Sequence, residues 1–167
     1  SKPAVATSAE AANDHIFYLT PSASSTDVIG GVANPLTGTV EIERKDCVFQ
    51  MCFVDPNQGS ASAKYISEKQ LGTKVAVIYK NDDVYSTGIY NSFAAEADKL
   101  GINIVSVSTF TDDTSTDFSV QIADAKKAGA DLVFLPMYYE AASMIFIQAN
   151  AIGYKPTWFG VDGMVGI

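Results

Sequence analysis

The sequence predicts an α/β protein in which a parallel sheet is sandwiched by helices. From Pro56 onward one unit recurs: an amphipathic helix, a glycine, then a short apolar strand. Those strands, such as Leu132-Val133-Phe134-Leu135, are apolar on both faces, which suits a parallel sheet covered by helices rather than one open to water. Helix and strand alternating at this spacing imply right-handed crossovers in a single layered sandwich.

The elements follow in order. Residues 2–13 are Ala-rich and read as a helix, and Ile16, Phe17, Tyr18 and Leu19 form a short apolar strand. Residues 20–38, with Pro21, Gly30, Gly31, Pro35 and Gly38, read as a long loop. An extended segment over 48–54 then ends in the turn Asp55-Pro56. A helix over 57–71 leads through Gly72 to a strand at 75–79. The next helix, 86–100, places Ile89, Phe93, Ala97 and Leu100 on one face and passes Gly101 into a strand at 102–107. A third helix begins near Thr116-Asp117, turns Phe118, Ile122 and Ala125 inward, and closes at Gly129 before the strand 132–135. The last, 140–152, buries Ala141, Ala142, Ile145, Phe146 and Ala149; Gly153 ends it, and a strand follows at 157–160. A glycine just past each helix takes the left-handed conformation at little cost. Thr114, Ser115 and Thr116 offer hydroxyl caps, and Asp117 places an acid near a positive helix end. The organisation is therefore residues 1–54 as part of a first lobe, with the long loop and a connecting strand, and 55–167 as most of a second.

Composition narrows the function classes. Of the 167 residues, 47% are hydrophobic and 18% charged, which gives a chain with a proper core. A net charge of −8 repels nucleic acid, and no Lys/Arg stripe offsets it. No apolar run approaches the ~20 residues of a membrane span, and Ser1-Lys2-Pro3-Ala4 lacks a charged-then-apolar signal pattern. Cys47 and Cys52, five apart in an extended segment, face opposite sides and read as small hydrophobes. His15 is the one histidine and has no patterned partner; no phosphate loop, nucleophile elbow, dinucleotide fingerprint or metal-ligand cluster occurs. An enzyme is not expected, nor a cofactor. A flavodoxin-like or nucleotide-binding domain is the rival on the same architecture, and the missing phosphate loop argues against it.

Open α/β sheets bind ligands outside the carboxyl ends of their strands. That rule selects Thr20 to Ser25 after Leu19, Lys80 to Tyr85 after Tyr79, Pro136 to Glu140 after Leu135, and Val161-Asp162-Gly163 after Gly160. Hydroxyls and loop N–H groups suit a carboxylate, a carboxylate suits an ammonium, and aromatic faces enclose an aliphatic body. Each piece has a plainer reading: Ser/Thr runs cap helices, Tyr138-Tyr139 can be a packing pair, Asp162 can shape a turn, and Asp82-Asp83 suits a solvated loop.

The segments 19–24, 48–59, 75–79, 85–88, 116–119, 130–135 and 159–163, in this order, resemble the branched-chain amino-acid binding proteins of ABC importers, with the type I periplasmic-binding-protein fold. The resemblance runs over almost the whole chain. It implies a segment of a two-lobed protein roughly twice as long, with a loop over 28–45 longer than is usual in that family. It further implies an extracytoplasmic protein, in the periplasm or at the cell surface, that delivers an amino acid to ABC permease subunits. By position, Ser1 and Ser24 would meet the ligand's carboxylate, with Ala23 and Ser24 offering backbone and hydroxyl groups to carboxylate and amine. Tyr85 and Tyr138 would cover the ligand, and Asp162, where many relatives have Glu, would pair with the ammonium. A ligand-sensing domain of a receptor or regulator with the same fold is the alternative.

Overall fold

The computed structural model describes residues 1–112 and 116–166. Helix α1 (Lys2–Asn13) packs beside a two-stranded parallel sheet of β1 (Tyr18–Thr20) and β2 (Val48–Gln50). Beyond α2 (Asp55–Lys69) lies a four-stranded parallel sheet in the order β4-β3-β5-β6. Its strands are β3 (Val75–Lys80), β4 (Ile104–Phe110), β5 (Leu132–Leu135) and β6 (Thr157–Gly160), joined by α3 (Val84–Leu100), α4 (Ser119–Lys127) and α5 (Tyr139–Ala151).

The alternating side chains of β3 and β5 divide the core into two layers. Val75, Val77, Leu132 and Phe134 face α2 and α3, where Ile66, Ile89, Phe93 and Ala97 are fully buried. Ala76, Ile78, Val133 and Leu135 face α4 and α5, against Phe118, Ile122, Ala142, Ile145 and Ala149. Both faces of the central strands are thus removed from water, as continuous apolar runs require. Leu100, expected on the buried face of α3, sits in the final turn and stays exposed.

Local chemistry sets the ends. The Asp83 carboxylate accepts from the Ser86 N–H at 3.1 Å and caps α3, so this acid is structural and buried rather than part of a solvated loop. Gly101, Gly129 and Gly153 take positive φ after their helices. At the end of α2, however, the left-handed residue is Gln70, at φ 51°. Gly72 serves a different need, since a Cβ there would approach the Leu132 Cβ to 2.5 Å. Before α4, the Asp117 carboxylate accepts from the Ser119 N–H at 2.9 Å; the capping expected of Thr114 and Ser115 lies outside the described residues. Strand β4 runs later than the 102–107 expected, because Ile102 is tied into the helix end through Ala97 O and the strand continues through alternating Ser106 and Ser108 as a sheet edge.

The long loop is ordered by two cations. Lys45 Nζ donates to Ser8 Oγ and to the carbonyls of Asp27 and Val28 at 2.9–3.1 Å. The Arg44 guanidinium donates to the carbonyls of Ile29 and Val48. Between them the chain folds into a small hairpin bridged at Ala33 and Val40. The extended segment expected over 48–54 forms a strand only at Val48–Gln50, paired with β1.

Helices α2 and α3 meet through glycine: a Cβ on Gly59 would lie 2.2 Å from the Ile89 carbonyl oxygen. Backbone cannot yield as a flexible side chain can. Gly59→Ala is therefore expected to cost about 2–3 kcal/mol in denaturant unfolding, whereas Gly101→Ala, with open space around its Cβ and only a positive φ to offend, costs about 1 kcal/mol. Equal losses at the two sites would show that the helix contact is looser than this geometry.

Candidate ligand-binding site

The close crossing of α2 and α3 brings their N-termini together beside the loop that follows β1. There Asp55, first residue of α2, is 1% exposed, and its N–H donates to the Ser24 carbonyl at 3.0 Å. Neither carboxylate oxygen has a hydrogen-bond partner among the described residues. Gly88 of α3 stands directly opposite; a Cβ on it would reach within 3.1 Å of the Asp55 Cβ. Burial pushes the Asp55 carboxyl up to about 7, the Ser24 side chain offsets part of that, and the negative charges of Asp83 and Asp27 add to it. The positive end of α2 favours the ionised acid, but the loss of water outweighs it.

The residues selected from sequence gather around this acid to different degrees. Ser24 is buried and touches Asp55 through its backbone. Ser1 Oγ accepts from the Ser25 N–H at 3.2 Å, on the same loop. The Ala23 carbonyl already accepts two bonds, from Gln50 Nε2 at 2.5 Å and Cys52 Sγ at 3.3 Å. Its two acceptor positions are therefore used inside the chain.

Tyr85, in the first turn of α3, is buried, and its hydroxyl accepts from the Gly163 N–H at 2.8 Å. Tyr138 stacks on it with ring centroids 4.7 Å apart. Burial raises both phenols, Tyr138 to about 12, so both remain neutral donors. Asp162 opens a short 3-10 turn after β6, where its N–H donates to Gln58 Oε1 at 3.2 Å and its side chain stays exposed. The fields of both Asp55 and Asp162 reach Tyr85, Tyr138 and Cys52, which places the two acids around one region. Gly163 is held to glycine by its neighbours, since a Cβ would come within 2.8 Å of the Met137 carbonyl and 3.0 Å of the Tyr85 hydroxyl.

Sequence reasoning missed Asp55 and Gln58. The strand-end rule was applied after β1, β3, β5 and β6, but the acid following β2 read as a turn because Pro56 comes next. Gln58, one turn into α2, leaves its Nε2 buried without a partner, a spare donor beside the Asp162 backbone. Among the described residues, no three His, Cys, Asp or Glu side chains gather as metal ligands do.

A carboxyl group at about 7 in the folded chain, against 3.8 as the ordinary value, binds its proton more tightly when folded. Its contribution favours the folded state below pH 4 and is lost as pH rises to 7. The span corresponds to on the order of 4 kcal/mol. Asp55→Asn is expected to raise the unfolding free energy of the unliganded protein at pH 8 and to flatten its dependence between pH 5 and 8. A slope unchanged in the variant would mean that Asp55 is ionised and satisfied throughout.

Known proteins share the sequence pattern and the fold. Residues 1–166 match the model of the family described as periplasmic binding protein. A Leu/Ile/Val/Thr-binding protein of Salmonella typhimurium is 30% identical over 114 residues, covering 68% of this chain and 31% of that protein. A Leu/Ile/Val-binding protein of Citrobacter freundii is 27% identical over 93% of this chain and 38% of its own length. Among solved structures, a leucine-binding protein from Thermotoga maritima superposes with a TM-score of 0.80 at 24% identity, over 96% of this chain and 42% of that one. A branched-chain amino-acid transporter substrate-binding protein from Streptococcus pneumoniae, in complex with isoleucine, gives 0.74 at 27% identity, over 93% and 40%. The chain thus spans well under half the length of the relatives it matches. With its helix-covered parallel sheet and a family match that runs from Ser1 to Gly166, the chain belongs to the periplasmic binding protein family.

Proposed function

We propose that this chain forms part of an extracytoplasmic solute-binding protein that captures a small amino acid, branched-chain or similar, between two α/β lobes and delivers it to the permease of an ABC importer. On this reading it is not an enzyme, residues 1–54 belong to the first lobe, and 55–167 form most of the second. The observation that carries the reading is the buried carboxylate of Asp55, without a hydrogen-bond partner among the described residues, beside the Ser24 loop and with its field reaching Tyr85 and Tyr138. An ammonium placed there would supply the missing counter-charge and hydrogen-bond donors together. Asp162 would complete its shell, while Ser1 and Ser24 hydroxyls and the loop N–H groups would take the ligand's carboxylate, with Ala23 shaping the loop. The names of the relatives support the same ligand class.

Closure follows from the placement of the charges. A ligand that touches both the loop after β1 and the Tyr85, Tyr138 and Asp162 group favours the arrangement that holds them together over one that separates them. Pairing also shifts the proton equilibrium: an adjacent ammonium lowers the Asp55 pKa from about 7, so binding strengthens with pH until the acid is ionised in the free protein.

The test is a thermal-shift and calorimetric screen of the full-length protein against the common amino acids. A saturable shift confined to one small group is expected, with affinity rising about tenfold or more from pH 5 to pH 8. Asp162→Ala should weaken binding at least tenfold, and Asp55→Asn should remove both the binding and its pH dependence. No shift with any amino acid would overturn the assignment, and an affinity indifferent to Asp55→Asn would remove that residue from it.

A further inference from the structure

Gln58 lies one turn after Asp55 on α2, next to the glycine that meets α3. Its amide is half used. Oε1 accepts from the Asp162 N–H at 3.2 Å, a link between residues 104 apart in sequence, while Nε2 is buried and meets no hydrogen-bond partner among the described residues. A buried donor left unsatisfied costs about 1–3 kcal/mol, against roughly 1 kcal/mol contributed by the one bond that is made. Asp162 is exposed, so water can take its N–H in place of Gln58. Stability alone would therefore favour an apolar side chain of the same length at this position, yet the residue there is an amide.

The bond acts on a small element. Asp162–Met164 form a single 3-10 turn after β6, in which the Met164 N–H donates to the Val161 carbonyl at 3.0 Å and the Val165 N–H to the Asp162 carbonyl at 3.3 Å. Hydrogen bonds of this kind have poor geometry, so a turn this short holds its shape weakly. Two side chains fix it from outside. Gln58 of α2 takes the Asp162 N–H, and the Tyr85 hydroxyl of α3 takes the Gly163 N–H at 2.8 Å. Successive backbone N–H groups in a turn can receive an anion, but here both are occupied by neutral side-chain oxygens. The turn therefore offers a ligand its exposed Asp162 carboxylate rather than its N–H groups, on a backbone tied to α2 and α3 near their N-termini.

We propose that Gln58 is a positioning residue for Asp162: its amide oxygen fixes the turn so that the carboxylate is in place before the ligand's ammonium arrives, and the unsatisfied Nε2 is the stability given up for it. Fixing a group in its bound position beforehand removes an ordering cost from binding. Because Asp55 and Gln58 lie three apart and share a face of α2, one helix turn sets the spacing of the two acids. The proposal rests on the amino-acid reading above, in which Asp162 pairs with the ammonium, and adds the residue that holds Asp162 there.

Calorimetric titration of the full-length protein with each common amino acid identifies the tightest binder. That amino acid is then titrated into Gln58→Met, Asp162→Ala and the double variant, with denaturant unfolding of each. Gln58→Met is expected to weaken binding about fivefold or more while its unfolding free energy is unchanged or higher, a split that a merely structural side chain would not give. In the Asp162→Ala background the same substitution should change affinity by less than about twofold, because residues that act as a unit are not additive. Gln58→Asn keeps the amide but shortens its reach, so it should follow Gln58→Met and keeps the test decisive if that variant fails to fold. An equal loss in both backgrounds, a loss that tracks a fall in stability, or wild-type affinity in Gln58→Met overturns the positioning role and leaves the amino-acid reading intact. Unchanged affinity in Asp162→Ala overturns the role together with the part given to that acid. Absence of binding to any amino acid overturns both the role and the reading.

Discussion

The contact on which the rest of this molecule turns is the glycine-mediated crossing of α2 and α3. Gly59 lets the Ile89 carbonyl approach α2 more closely than any Cβ allows, and Gly88 sits tightly against Asp55 one turn earlier, where a Cβ would lie 3.1 Å from the Asp55 Cβ. Two helices that lie this close bring their N-termini, and the loops that feed them, into one place. Asp55 opens α2, Asp83 caps α3 and Tyr85 follows two residues later. The Asp55 N–H then fastens the β1 loop to this pair through the Ser24 carbonyl. The side chains of the candidate site come from positions as far apart as Ser1 and Asp162, and the fixed point they surround is a helix crossing with no chemistry of its own.

Most of the four-stranded sheet was legible in the sequence because its signal is local. The run Leu132 to Leu135 is apolar at every position, and only a strand covered on both faces can use that; Gly129 and Gly153 mark helix ends through their positive φ. What was not legible depends on neighbours distant in sequence. Gly72 reads as a helix cap, yet its role is set by Leu132, sixty residues on, while Gln70 takes the strained conformation. The long loop reads as unstructured because nothing in its Ser, Thr and Gly content shows that Lys45 will find three oxygens contributed by Ser8, Asp27 and Val28. Edge strand β4 was misplaced for the opposite reason: one face meets water, so its pattern alternates and lacks the apolar run that marks the centre of the sheet.

The site divides along the same line. Tyr85, Tyr138 and Asp162 lie directly after strands and could be found by the rule of strand ends. Asp55 obeys that rule too, following β2, but an acid before proline is so common in turns that sequence alone gives no reason to single it out. The distinguishing fact is three-dimensional: a carboxyl group 1% exposed whose oxygens find no hydrogen-bond partner among the described residues. Gln50 is similar. Its role in engaging the carbonyls of Ala23 and Ser25 cannot be guessed from a polar residue at the end of a short strand, and it changes which atoms of the loop remain free to meet a ligand.

A buried acid without a partner lowers the stability of the chain that contains it. At the start of α2, with Gly88 packed against it, the side chain is 1% exposed and meets no hydrogen-bond partner among the described residues. A bound proton relieves this, which is why the pKa rises to about 7. A binding protein gains from this arrangement. On the proposed reading, the energy withheld from the free protein would become available to a ligand that carries an ammonium, so the same group would supply affinity and select chemical class. On that reading it would also couple binding to closure, since a charge buried between helix ends is fully compensated only when the groups around it have come together.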